Sequence, residues 1–243
     1  MNKNITEKAK SGLIWSTVER FSSLAIQFLI SIVLARLIGP RAYGVMGMIA
    51  VFIVLAQTLV DSGLGASLIQ NNNPSKEDYK TVFTVNLILS LLIYFILFSL
   101  APLISDFYNQ PILINIIRVF SITVVINSLS IVPRSSLLIN LNFKKLTVIN
   151  LVSAVLSGSI AIFYALQGLG VWALVLLLGL KSLFTSILLL TTSGVHLELG
   201  INIPSFKKLY KFGYKMLFSS LLNVIVGNIS EILIGKNYKT VQL

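Results

Sequence analysis

The chain has 243 residues, 56% of them hydrophobic and only 11% charged, with a mean hydropathy of +0.90, whereas an average soluble domain is about a quarter charged. This excludes a water-soluble globular fold, because the chain lacks a polar coat and most of its surface has to face lipid. The 19 Lys and Arg against 8 Asp and Glu give a net charge of +11, but these cations are spread over short loops, which disposes of a nucleic-acid surface; with no cysteine and the single His196, a disulfide framework and thiolate or histidine-rich metal centres are excluded, and no cofactor is expected.

A helix needs about 20 residues to cross a ~30 Å hydrocarbon core. Counting uncharged and nearly uncharged runs predicts an all-α, polytopic transmembrane helix bundle with seven spans, near 12–37, 43–69, 81–103, 112–139, 147–167, 170–192 and 213–235. The first run lacks an A-x-A cleavage pattern and further spans follow it, so it reads as a retained helix rather than a secretory signal. The long apolar stretch after Leu146 is divided at Gln167-Gly168-Leu169-Gly170, where a tight turn is predicted. Pro40, Pro74, Pro102, Pro111 and Pro204 fall at predicted span ends or in loops, and Pro133 alone lies inside a span, where a kink is expected.

Placing the N-terminus in the cytoplasm puts eleven Lys on the cytoplasmic side and leaves four cations, Arg36, Arg41, Lys236 and Lys239, outside, as the positive-inside rule requires. The expected location is a bacterial inner membrane, multi-pass, with a cytoplasmic N-terminus. Before the last span, Phe206, Leu209 and Tyr210 share one helical face and Lys207, Lys208 and Lys211 take the other. This pattern predicts a short basic amphipathic helix on the inner leaflet; a solvated charged linker is the alternative.

Ionisable residues inside spans are costly and default to functional candidates. They are Glu19, Arg20, Asp61, Arg118, Arg134, Lys181 and Glu231. Arg118, Arg134 and Glu231 lie near span ends and could snorkel. Arg20 and Asp61 are predicted at one depth on adjacent helices, either as a pair that only ties those helices or as part of a hydrated cavity. A polar stripe of Ser16, Arg20, Ser23, Gln27 and Ser31 on helix one favours the cavity, as do Gln57 with Asp61 on helix two, and Arg118, Ser121 and Ser128 on helix four. Small polar residues also bind helices to one another. Lys181 is the deepest cation, and Ser220, Asn223, Gly227 and Ser230 make a polar face on helix seven beside Glu231. The candidate cavity and substrate residues are Glu19, Arg20, Gln27, Asp61, Arg118, Arg134, Lys181 and Asn223. Four cations against three anions lean the interior positive, which suits an anionic cargo.

Several segments resemble a known family. Ala35-Arg36-Leu37-Ile38-Gly39-Pro40 with Tyr43-Gly44 resembles the A-R-L-L-G-P-x-x-Y-G signature of bacterial polysaccharide exporters, and Asp61-Ser62-Gly63-Leu64 through Leu68-Ile69-Gln70 resembles their D-x-G-L-x-x-x-L-I-Q segment. Val132-Pro133-Arg134, Asn142-Phe143, Gly170-Val171-Trp172-Ala173-Leu174 and Phe212-Gly213 through Leu221-Leu222-Asn223 follow in order. The chain is thereby identified as similar to the Wzx-like lipopolysaccharide and O-antigen flippases of the multidrug/oligosaccharidyl-lipid/polysaccharide exporter superfamily.

The resemblance implies a flippase that moves a polyprenyl-diphosphate-linked oligosaccharide across the inner membrane by alternating access between two helical lobes. It implies the lipid bilayer, the lipid-linked oligosaccharide, a polysaccharide polymerase and glycosyltransferases as partners, and no nucleic acid. Arg36, Asp61 and Arg134 match family positions, Lys181 has no counterpart, and Ser230 stands where Asp is common. Family members are about twice as long. The expected division is therefore a six-helix lobe over 1–193, a cytoplasmic amphipathic linker over 194–211, and over 212–243 the first helix of a second lobe that is otherwise missing. A faint internal repeat supports it: Lys10-x-Gly12 with Phe21-Ser22-Ser23-Leu24 parallels Lys211-x-Gly213 with Phe218-Ser219-Ser220-Leu221. Arg20→Ala is expected to abolish surface polysaccharide. The alternatives are a multidrug-type cation-coupled extruder, which would want more lumenal carboxylates, and an inactive membrane-inserted fragment. An intramembrane glycosyltransferase or polymerase would want acidic or histidine pairs at a membrane face, whereas the outer loops hold just Asp106, so no enzymatic activity is expected.

Overall fold

The fold is that of a computed structural model, which describes residues 3–237 apart from Ser62, Asn72 and His196, and side chains from Trp15 to Gly227 apart from these three, Ser16 and Glu19. Its helices are α1 (Lys3–Ile38), α2 (Pro40–Asp61), α3 (Leu64–Gln70), α4 (Lys76–Tyr108), α5 (Ile112–Phe120), α6 (Ile122–Ile139), α7 (Phe143–Leu166), α8 (Val171–Thr192) and α9 (Ile203–Asn237), and the described residues form no strand. Six segments among them are long and apolar enough to span a bilayer: Arg20–Ile38, Pro40–Asp61, Lys76–Tyr108, Ile112–Ile139, Phe143–Leu166 and Val171–Thr192. The expected seventh span falls on α9, whose side chains beyond Gly227 lie outside the described residues. The chain is a multi-pass membrane protein built as a helical bundle.

Local chemistry explains the joints. Gly39 sits in the left-handed region at φ 73° and its N–H bonds to the Ala35 carbonyl at 3.1 Å; Pro40 then opens α2, where its missing N–H is harmless. The Gly-Pro pair therefore reverses the chain in one residue. Ser75 and Asp78 form a reciprocal capping box on α4, and the predicted turn at 167–170 joins α7 to α8.

Three departures from the sequence reading have physical causes. The second predicted span ends at Asp61, because Gly63 takes φ 68° and turns the chain into the separate helix α3. The fourth is broken at Ser121, whose Oγ donates to the Arg118 carbonyl at 3.1 Å. Helix α4 continues through Pro102 to Tyr108; membrane helices tolerate an internal proline where neighbouring helices accommodate the freed backbone groups.

Large apolar side chains cover the outside of the bundle, with Phe21 on α1 69% exposed and Leu103 on α4 65% exposed. The inside holds a core of Leu, Ile and Val side chains, among them Leu34, Ile49 and Ile116, interspersed with buried serines and threonines. Helix α7 lies against α1 and α8, and α6 lies between α4 and α8. A Cβ on Gly158 of α7 would collide with the Ile30 side chain of α1, so the glycine leaves room for that side chain where the two helices pack, as small residues allow in lipid. Buried hydroxyls tie the helices: Ser90 of α4 donates to Ser128 of α6 at 3.0 Å, Ser130 of α6 bonds Ser186 of α8 at 2.8 Å, and Ser182 of α8 donates to the Asn127 side chain of α6. Ser128 thus makes a helix contact and also borders a cavity, whereas Ser121 bonds back to its own turn.

Helix α9 packs across α2, α3 and α4. The basic stretch 205–211 makes up its first turns, so it is continuous with the helix that follows rather than a separate surface helix. A Cβ on Gly63 would land on the Gly213 carbonyl, and Ser67 Oγ donates to the Leu209 carbonyl at 2.7 Å. The buried Asp78 carboxylate lies 3.6 Å from Lys208 Nζ and accepts from the Ser75 N–H at 3.0 Å and Asn71 Nδ2 at 3.1 Å. The linker before α9 is held to α4 by Lys80–Glu198 at 2.6 Å and by the Gly200 and Asn202 N–H groups donating to Thr84 and Thr81.

Candidate functional site

Two ends of the bundle differ in charge. One carries Lys76, Lys80, Lys144, Lys145, Lys207 and Lys208, and is called the basic end; the other carries the turns at Gly39, 109–111 and 167–170. Between them, three cavities run through the space enclosed by α1, α2, α6, α7 and α8. The first, of about 250 Å³, lies toward the Gly39 end between Tyr43, Ser31 and Ser157. A central one of about 580 Å³ takes polar groups from every wall, among them Ser23, Gln57, Thr123 and Asn150. A third, of about 280 Å³, reaches Asp61 and Leu146 near the basic end. Gln27 and Lys181 border both the first and the central cavity; Asn127, Asn150 and Arg134 border both the central cavity and the third. The three share lining residues in succession along the bundle axis, the first walled mostly by apolar groups and the other two by polar and apolar groups together, and are called the passage.

Its charges are few. Lys181 stands midway along α8, and among the described residues no carboxylate lies within 4.0 Å of it. Arg134 comes from the last turns of α6. Asp61 closes α2 and is held by the turn that follows: the Gly65 N–H donates to its carboxylate, and Arg134 is its nearby cation. The position a Cβ would take on Gly65 is 2.9 Å from Asp61 Oδ1, so glycine there keeps room for the carboxylate. Two cations and one anion leave the passage net positive.

The structure brings together four of the residues singled out from sequence: Gln27, Asp61, Arg134 and Lys181. Asp61 meets Arg134 in place of Arg20. Arg20 is exposed on α1 and borders none of the three cavities, although Ser23, Gln27 and Ser31 of the same stripe do. Arg118 lies off the passage, its guanidinium 4.4 Å from the centroid of the Phe98 ring of α4. Asn223 is exposed on α9 and borders no cavity. Glu19 and Glu231 lie outside the described side chains. Sequence reasoning missed Asn127, Asn150 and Thr185. Their signal was available: an amide deep in a span also costs energy in lipid, and attention to ionisable groups passed over it.

Residues 33–243 match the family described as polysaccharide biosynthesis protein. The chain belongs to that family. Among its curated relatives are the teichuronic acid biosynthesis protein TuaB of Bacillus subtilis (26% identical over 96% of this chain and 49% of the relative) and the succinoglycan biosynthesis transport protein ExoT of Rhizobium meliloti (24%, over 87% and 43%). The lipopolysaccharide biosynthesis protein WzxC of Escherichia coli is 31% identical over 64% of this chain and 31% of its own length. The chain spans about half or less of the length of these relatives. No solved structure matches it significantly. Family membership bears out the resemblance to Wzx-like exporters read from the Ala35–Pro40 and Asp61–Gln70 segments.

Proposed function

We propose that the chain forms one lobe, and the opening helix of a second, of a flippase that moves a polyprenyl-diphosphate-linked oligosaccharide across the bacterial inner membrane by alternating access. Residues 1–193 would be the lobe, 194–211 its cytoplasmic linker and 212–243 the start of the partner lobe, with the N-terminus in the cytoplasm. The role is transport rather than catalysis, in step with polysaccharide polymerase and glycosyltransferases that build the glycan.

The observation that carries this reading is the passage in which two cations, Arg134 beside Asp61 and Lys181 with no carboxylate in range among the described residues, sit at successive depths. A diphosphate entering at the basic end would meet Arg134 beside Asp61 first and Lys181 next. Arg134 offers a planar fork that matches phosphate oxygens, and Lys181 a point charge. The lipid tail would stay in the bilayer. The excess of cation over anion favours this cargo over a cationic drug.

The test replaces both cations with glutamine in a strain whose surface polysaccharide depends on this gene. Charge-assisted contacts of this kind contribute about 1.5–3 kcal/mol each, so R134Q/K181Q should lower surface polysaccharide by at least about tenfold, with unchanged membrane protein level and lipid-linked glycan accumulating inside. Undiminished export by the double variant would overturn the reading.

A further inference from the structure

A fourth cavity lies outside the passage, on the lipid-facing side of the bundle where α7 and α8 part at the basic end. It measures about 320 Å³. Its wall is apolar, made by Val148, Ile149 and Val152 of α7 with Leu188 of α8, and its rim is polar, made by Asn142, Lys144, Lys145 and Thr192. The apolar wall continues along α7 through the exposed Val155 and Leu156. From Val148 to Leu156 is roughly 12 Å at ~1.5 Å per residue, close to the ~15 Å depth of half a hydrocarbon core.

The two rim lysines are held in place without being neutralised. Lys145 Nζ donates to the Thr192 carbonyl at 2.7 Å, bridging the end of α8 to the start of α7. Lys144 Nζ lies 5.3 Å from the centroid of the Trp15 ring of α1. Among the described residues no carboxylate pairs with either. An acyl-chain-sized apolar groove, ending under two oriented and unpaired ammonium groups at the level where head groups lie, is complementary to a lipid with an anionic head.

We propose that this groove is a binding site for an anionic glycerophospholipid, with its phosphate between Lys144 and Lys145 and one acyl chain along Val148, Val152 and Leu188. A basic pocket between helix ends at a membrane face recognises such head groups by charge. The bound lipid would fill the seam between α7 and α8 next to the passage. The assignment rests on the membrane-spanning bundle and not on the transport reading, so a failure of either leaves the other standing.

The experiment uses native mass spectrometry of the full, delipidated chain titrated with dioleoyl phosphatidylglycerol, with dioleoyl phosphatidylcholine and polyprenyl phosphate in separate arms. The wild type should bind phosphatidylglycerol in preference to phosphatidylcholine, and K144Q/K145Q should weaken that binding by about thirtyfold, the effect of two juxtamembrane cations. K144R/K145R, which keeps both charges, should retain it. V152W, which fills the groove and leaves the lysines in place, should also lose it. Equal binding of the two phospholipids, wild-type affinity in K144Q/K145Q, or binding of polyprenyl phosphate alone would each overturn the assignment.

Discussion

The passage and the α9 seam treat polar groups in opposite ways. Around Asp78 a carboxylate is buried and answered from several sides, by the Ser75 N–H, Asn71 and Lys208, and nearby the backbone of Gly213 approaches until glycine is needed at Gly63. Around Lys181 a cation stands in a cavity with no carboxylate in range among the described residues. A saturated polar cluster fixes geometry. An unsaturated one next to open volume leaves its interaction energy available to a ligand. Charge alone does not tell the two apart; the number of partners does.

Substitutions should therefore separate into those that damage transport and those that damage the fold. R134Q/K181Q is expected to have the largest effect on export and little on thermal unfolding in detergent; a matching fall in Tm would erase the contrast. G63V should have the largest effect on the fold. It forces a β-branched residue into the left-handed region, at about 1–2 kcal/mol, and drives a side chain into the Gly213 carbonyl, so membrane protein level and Tm should both drop. D78N should follow, losing about 1 kcal/mol with the cap of α4 and weakening the tie to Lys208, read as a lower Tm with a smaller change in export per folded molecule. K208Q should lower Tm less than D78N, because the Lys208 side chain is 58% exposed and water screens the pair. R20A should have the smallest effect on export, within about twofold, since one exposed charge outside the passage contributes little. A loss comparable to that of R134Q/K181Q would place a second site on the outer face of α1.

Much of this was legible in the sequence because lipid imposes few choices. Apolar runs of spanning length located the six spans, and Gly39-Pro40 and the turn at 167–170 are written in residues whose backbone preferences are local. The depth of Lys181 also followed from counting along a helix. The pairing of Asp61 did not. It depends on Gly63 ending α2 and on α6 crossing nearby, and a comparison of depths on neighbouring helices chose Arg20 over the true neighbour, Arg134. The role of Arg118 was hidden for the same reason, since Phe98 lies twenty positions earlier and only the packing of α5 on α4 brings the ring under the guanidinium. Helical stripes showed which residues share a face; they did not show what that face meets. Helix one makes the point: Ser23, Gln27 and Ser31 border open space while Arg20, counted on the same stripe, does not.

The Asp78 side chain does two jobs at once. It caps the first turn of α4 and anchors the first turns of α9 through Lys208. Tilting α9 would therefore loosen the start of α4 in the same movement, and resetting one restores the other. The two helices share a mechanical joint, so a tilt of α9 would be transmitted to the start of α4 without any longer-range relay.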